Sequence, residues 1–324
     1  MTLYPLKFTP ISKYRIWGGN KLNTVLNKGF KNDDIGESWE ISGVEGDETV
    51  VSQGNLSGKT LKQLAHEFKG DFLGNHVYET FQEQFPLLIK FIDAKTPLSI
   101  QVHPHDPIAK KRHNSFGKNE MWYIMDADED AEIIVGFSKS LDKKSYSEYL
   151  ENDQVLDVLN AINTKAGDAF NIPTGRVHAI GAGVLLAEIQ QTSDITYRIY
   201  DYNRVDKTTG KQRELHNDLA LDVIDFEVHD TYKTTYKAEE NKSNHLIHTP
   251  YFKSNILFLT TAVEKNYKDI DSFILYICTK GSFKIQVGTN LYPVTKGETI
   301  LVPAKIKELK LIPNESAELL EVYY

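Results

Sequence analysis

Cysteine is almost missing from this chain: Cys278 stands alone, so no disulfide can form within it, and the bridge framework common in secreted proteins is excluded. A reducing compartment is the expectation. Long apolar runs are scarce too. The patch FPLLIKFI is far too short to span a bilayer, and the opening MTLYPLKFTP has no basic region followed by an apolar stretch. Neither membrane anchoring nor an export signal is read, and the cytoplasm is the expected location. Positive charge is in deficit, with 37 Lys and Arg against 45 Asp and Glu and a formal net charge of -8. That field repels polyanions, and no basic run marks a nucleic-acid surface. A small phosphorylated substrate would therefore need Lys and Arg gathered locally against the overall field.

Proline is sparse as well, at 11 residues among 324, and with 40% hydrophobic and 25% charged residues the chain lies outside the disordered and collagen-like classes. The length allows about two ordinary domains. What is abundant is strand signal: 17 Tyr, 15 Phe and many short Ile-, Val- and Thr-rich runs bounded by Gly, Pro, Asn or Asp. Helical periodicity is confined to TLKQLAHEF at 60–68, SYSEYLENDQVLDVLNAI at 145–162, opened by a Ser145 to Glu148 capping box, and NDLALDVIDF at 217–226. A mainly β fold with a few accessory helices follows. The polar stretch from Thr231 to His245 has no apolar period and reads as a linker, giving domains of 1–235 and 236–324.

Two segments on either side of that linker share a pattern. Gly167, Asp168 and Pro173 keep the spacing of Gly297, Glu298 and Pro303, as a tight turn into a strand ended by proline requires. Such a repeat suggests an internal duplication and resembles a conserved motif of cupin barrels. Five residues after the proline the first copy has His178 and the second Glu308, so only the first unit is expected to hold a metal.

In TPLSIQVHPHD (96–106), alternation puts Leu98, Ile100 and Val102 on one face and Ser99, Gln101 and His103 on the other. A cavity-facing polar row needs partners, and a metal would satisfy Gln101 and His103 together; a wet edge strand gives the same pattern. Glu120 enters the next apolar strand beside Lys118, and His178 lies between glycine-flanked turns. Imidazole, carboxylate and amide oxygen suit zinc or a neighbouring divalent ion. His105, His113, His216, His229, His245 and His248 lack such placement, and the direction of His105 is obscured by Pro104.

The strings RIWGG, PLSIQVHPHD, KNEMWYI, GDAFNIPTGRVHAIGAGVLLAEIQQTSD and YRIYDYNR, in order over 15–204, resemble the type I mannose-6-phosphate isomerases, particularly the short bacterial form. The resemblance implies two cupin-type (jelly-roll) β-barrels, one Zn2+ per chain held by Gln101, His103, Glu120 and His178, and an active-site arginine at Arg198. It also implies interconversion of mannose 6-phosphate and fructose 6-phosphate through an enediol. The KPEM motif of longer relatives appears as KNEM, with Asn119 in the proline place.

An isomerase of this kind needs a base, an acid and a group that steadies an oxyanion. Glu188, on the strand parity of Leu186 and Gln190, is a candidate base that a hairpin could bring to the cavity of Arg198. A guanidinium between Tyr197 and Tyr200 suits phosphate or enediolate, and Lys118 is a candidate for proton transfer or substrate contact. Ser99 and Lys95 are candidate phosphate donors. Trp17, with Gly18 and Gly19, reads as a shaped turn at the site or as a buried structural turn. The alternatives are another metal-dependent cupin enzyme such as an oxygenase, and a non-catalytic sugar-phosphate-binding cupin.

Overall fold

The computed structural model describes residues 2–324. Its N-terminal part, from Ile11 to Tyr200, is built on two antiparallel sheets laid face to face. The six-stranded sheet orders Ala169–Ile172, Glu120–Ala127, Val184–Gln191, Leu87–Ala94, Ile11–Gly19 and Ile35–Ile41. The five-stranded sheet orders Tyr197–Tyr200, Ile100–Val102, His178–Ile180, Glu132–Phe137 and Leu159–Asn163. Period-two alternation explains the packing between them. Ile92, Trp122, Ile124, Val184 and Leu186 point inward to meet Ile133, Val135 and Ile180 of the facing sheet. Met121, Tyr123, Leu185, Ala187 and Ile189 point the other way into a second core, shared with short helices and the C-terminal sheet. Because both faces are covered, these strands read as nearly unbroken apolar runs, and the polar residues Lys90, Glu188 and Gln190 are buried on the inner face.

The C-terminal part, from Asn244 to Tyr323, is a single sheet that wraps around its own core. The long strands Ile274–Val287 and Glu308–Tyr323 pair with one another and change register at bulges near Lys280 and Phe283. Each therefore serves different neighbours along its length, and the wrapped sheet encloses Leu257, Tyr276, Cys278, Phe283 and Leu319. This mainly β architecture bears out the fold expected from the sequence.

The repeated Gly-acid-x4-Pro segments form the same local structure twice. Gly167 (φ 94°) and Gly297 (φ 82°) both take the left-handed conformation that favours glycine. Asp168 accepts the N–H of Lys165 at 3.0 Å, and Glu298 accepts that of Thr295 at 2.7 Å, three residues back in each case. Ile124 exchanges backbone bonds with Gly167 and Asp168 as Cys278 does with Gly297 and Glu298, all at 2.9–3.0 Å. Glu120 lies opposite Ile172 and Ile274 opposite Val302, so the second unit has isoleucine where the first has its candidate ligand. Glu308 begins its strand exposed and paired with Lys268 at 2.5 Å.

Several local expectations are corrected. The capping box of the central helix is Asp142 with Ser145, not Ser145 with Glu148, and the helix covers only Lys143–Glu151. A 3-10 turn follows, and Leu159–Asn163 is a strand, because its pairing with Glu132–Phe137 outweighs local helical periodicity. The last helix stops at Leu221. The stretch 231–245 is mostly irregular, yet it is docked: Tyr232 is buried, Tyr236 Oη donates to the Gly167 carbonyl at 2.5 Å, and Lys233 pairs with Asp168 at 2.7 Å.

Candidate active site and metal centre

Three buried side chains converge between the two sheets of the first unit. Glu120 comes from the six-stranded sheet, while His103 follows Ile100–Val102 and His178 begins the neighbouring strand of the five-stranded sheet. Their ligand atoms all lie within 4.8 Å of one another. His178 Nε2 is 3.2 Å from Glu120 Oε1, and His103 Nε2 is 3.6 Å from Glu120 Oε2. The far nitrogens are tied down: His178 Nδ1 donates to the Arg176 carbonyl at 2.7 Å, and His103 Nδ1 to the Ile195 carbonyl at 2.9 Å. Placing both protons on Nδ1 leaves the Nε2 lone pairs facing Glu120, the arrangement by which histidine ligands are oriented.

The cluster fits a divalent cation. Both Glu120 oxygens are buried without a hydrogen-bond partner; the Lys118 ammonium stands 3.3 Å from Oε2, but Oε1 faces only the His178 ring, a costly position for a carboxylate oxygen that a cation would relieve. Burial by itself would raise the Glu120 pKa, but the Lys118 ammonium, the largest opposing influence, outweighs it and holds the carboxyl well below its ordinary range. Burial, aided by Lys118, pushes His103 down to about 3, and burial also lowers His178. Anionic carboxylate with neutral imidazoles is the protonation state a metal requires. Gln101 reaches the same point: its amide nitrogen donates to His178 Nε2 at 3.3 Å, and turning the amide would present its oxygen instead.

Above the cluster opens a cavity of about 430 Å³, with Gln101 and Lys118 at its floor and Trp17, Ser99, Glu188 and Arg198 in its walls. Lys118 Nζ lies 3.3 Å from both Glu120 Oε2 and His103 Nε2. Burial tends to lower its pKa, but Glu120, Glu188 and Glu37 more than reverse this, so the group is an ammonium. Glu188 accepts from Lys90 Nζ at 3.0 Å and from Trp122 Nε1 at 2.8 Å, and burial raises its pKa despite Lys90. Arg198 Nε donates to Ser99 Oγ at 3.3 Å and Nη1 to the Glu214 carbonyl at 2.9 Å.

Not every expected residue arrives as expected. Lys95 is exposed and lines a separate cleft with Asn20, Asp33 and Asp128, so it is not brought to this cavity. Leu98 breaks the alternation. It precedes the regular strand, which begins at Ile100, and packs with the inner cluster, whereas Ile100 and Val102 pack on the outer one. Glu188 and Arg198 do share the cavity, but from opposite sheets rather than across a hairpin. Tyr197 and Tyr200 pack in the outer core, and Tyr197 Oη meets His113 at 2.8 Å, so neither flanks the guanidinium. His105 is the exposed N-cap of the helix Asp106–His113.

Trp17 is buried, and Gly36 makes room for it: a Cβ there would meet the indole at 2.5 Å. Sequence reasoning missed Arg15, Glu37, Trp39, Lys90, Arg213 and His216, all in the cavity wall. For Lys90 a signal existed, since a lone lysine inside LLIKFIDA cannot be solvated and must find a buried partner.

Similarity to known proteins agrees with this arrangement. The family described as phosphomannose isomerase type I, catalytic domain, matches residues 6–146. A mannose-6-phosphate isomerase of Bacillus subtilis is 35% identical over 315 residues, covering 96% of each chain. That of Streptococcus mutans is 32% identical over 311 residues, covering 94% of this chain and 96% of its own. Among solved structures, a mannose 6-phosphate isomerase from Bacillus subtilis superposes with a TM-score of 0.90 at 30% identity, over 99% of this chain and 100% of that one. With this level of likeness along nearly its whole length, the chain belongs to the type I phosphomannose isomerase family.

Proposed function

We propose that the protein is a metal-dependent aldose-ketose isomerase that interconverts mannose 6-phosphate and fructose 6-phosphate, with zinc as its ion. The observation that carries this reading is the buried Glu120 carboxylate, without a hydrogen-bond partner, converging with His103 and His178 beside a polar cavity. His103, Glu120 and His178, with Gln101 as the fourth ligand, would hold the ion. Once bound, it would polarise the sugar oxygens as a Lewis acid without changing oxidation state.

The remaining chemistry belongs to the chain. Isomerisation moves a proton between C2 and C1 through an enediol, so a carbon acid must meet a base that is unprotonated yet basic enough. Glu188 suits that task. Each of its oxygens accepts one hydrogen bond and keeps a free lone pair, its pKa is raised by burial, and Lys90 and Trp122 fix its direction. In this reading it takes the proton from one carbon and returns it to the other. Lys118, an ammonium at the cavity floor, donates to the sugar oxygen on which negative charge develops. Arg198, on the opposite wall and without a carboxylate partner, is available to an anionic part of the substrate. The catalytic machinery belongs to residues 1–235, and the unit 236–324 buttresses the face of the six-stranded sheet that points away from the cavity.

A chelator should abolish conversion of mannose 6-phosphate, and added zinc should restore it. Zinc-loaded protein that bound the sugar phosphate without turning it over would instead support a binding module.

A further inference from the structure

One tight turn, residues 173–176, touches all three segments that carry the candidate ligands. The Gly175 N–H donates to the His103 carbonyl at 2.9 Å, and the Thr174 N–H donates to Asn119 Oδ1 at 3.1 Å, next to Glu120. The Arg176 carbonyl accepts His178 Nδ1 at 2.7 Å. Gly175 takes a left-handed φ of 85°, and a Cβ there would meet the Val223 carbonyl at 2.8 Å, so glycine is what lets a second segment come this close.

That second segment, 223–232, forms neither helix nor strand, yet it grips the turn at several points. The Asp225 N–H donates to the Gly175 carbonyl at 2.8 Å. Arg176 sends its side chain into the same segment. Its Nη2 donates to His229 Nε2 at 2.8 Å and lies 3.7 Å from Asp225 Oδ2, and its guanidinium sits 4.9 Å from the centroid of the Tyr232 ring. Tyr232 Oη accepts the His229 N–H at 3.2 Å and rests against Gly136, whose own N–H donates to the Val177 carbonyl at 2.7 Å. Arg176 is only 7% exposed and its Nε has no partner, so this buried cation depends on the contacts that 225–232 provides. It does not line the cavity.

We propose that the segment 223–232 is a brace for the metal centre, and that Arg176 and His229 are positioning residues acting through the turn 173–176 on His103 and His178. This role rests on the metal site of the isomerase reading, not on turnover. A carbonyl orients a ligand histidine only as firmly as its own backbone is fixed, and partners of this kind carry about ten- to hundredfold of metal affinity. Coupling between two binding events is reciprocal, so bound metal should in turn hold the brace in place.

Zinc affinity, measured on the full chain without substrate by competition with a chromophoric chelator, tests this. Arg176→Ala should weaken zinc binding by about tenfold or more and His229→Ala by a smaller factor, while Arg176→Lys, which keeps a cation over Tyr232, should recover part of the loss. In the parent, zinc should slow hydrogen exchange at the Asp225 and His229 amides several-fold while leaving the exposed loop amides of Thr260 and Thr261 unchanged, and this slowing should vanish in Arg176→Ala. Unchanged zinc affinity in both alanine variants, or exchange at 225 and 229 that ignores zinc, would overturn the brace. Should Arg176→Ala unfold, with fast exchange throughout the chain, the variant at half-buried His229 and the exchange of the parent decide between the same two results. A parent that takes up no zinc would sink the metal reading and the brace together, whereas a parent that binds zinc beside unaffected variants would sink the brace alone.

Discussion

At the scale of single residues, the site is a study in charges kept apart from water. Backbone carbonyls hold the Nδ1 protons of His103 and His178 and leave both Nε2 lone pairs free, and the Lys118 ammonium keeps the buried Glu120 ionised. His178→Ala should lower metal affinity by at least about a hundredfold, measured by elemental analysis after dialysis, whereas Arg198→Ala should keep its metal and lose turnover. Glu37 gives a pH prediction. Burial opposes its ionisation, but Arg15, Lys90 and the Trp39 indole pull its pKa from 4.5 down to about 2. A depressed folded pKa stabilises above the unfolded value and is lost as pH falls through the folded one. Stability on the order of 3 kcal/mol should therefore drain away between roughly pH 4.5 and pH 2. Denaturant unfolding of Glu37→Gln beside the parent should show a deficit at pH 6 that narrows towards pH 3; a constant deficit would contradict the assignment.

Strands and turns decide which of these residues the sequence could disclose. Glu188 was legible because Val184–Gln191 is regular, so its parity with Leu186 fixed its side of the sheet. Leu98 was not, because Thr96–Ser99 precedes the ladder and parity has no meaning there. The strand Leu159–Asn163 was hidden behind helical periodicity, since a partner 22 to 31 residues upstream decided its conformation. Arg213 and His216 sit in a loop where no period exists, and only the fold brings them to Arg198. Asn119 shows how one element replaces another's device. Where longer relatives carry proline, its N–H and side chain both donate to Gln191 Oε1, at 3.0 and 2.8 Å, and its Oδ1 accepts from Thr174 at 3.1 Å. Hydrogen bonds supply the stiffness, so Asn119→Ala should cost about 1–3 kcal/mol and lower the melting temperature. Asn119→Pro should not rescue it, because the ring removes the N–H that Gln191 accepts.

Across the whole molecule, two units share a plan and differ in what they bury. Glu188 lies opposite Trp122 and Lys90, and Glu321 lies opposite Tyr276 and Asn255, in matching strands. In the second unit Glu321 is fully engaged by Lys265, Ser243, Asn255 and Tyr267, at 2.5–2.9 Å. Every lone pair there has a protein partner, and the register position of Glu120 is held by Ile274. The repeat with His178 in one copy and Glu308 in the other carried this asymmetry in the sequence, and the proposal of one metal per chain rests on it. No helix among the described residues is long and apolar enough to cross a membrane. Metal content and turnover measured together on one preparation, as a chelator is titrated in and zinc is added back, test the central claim most directly. The expected result is one divalent ion per chain, with conversion of mannose 6-phosphate falling and returning in proportion to it. Full turnover in protein stripped of metal, or two equivalents bound with loss of only one affecting nothing in the His103, Glu120 and His178 site, would contradict it.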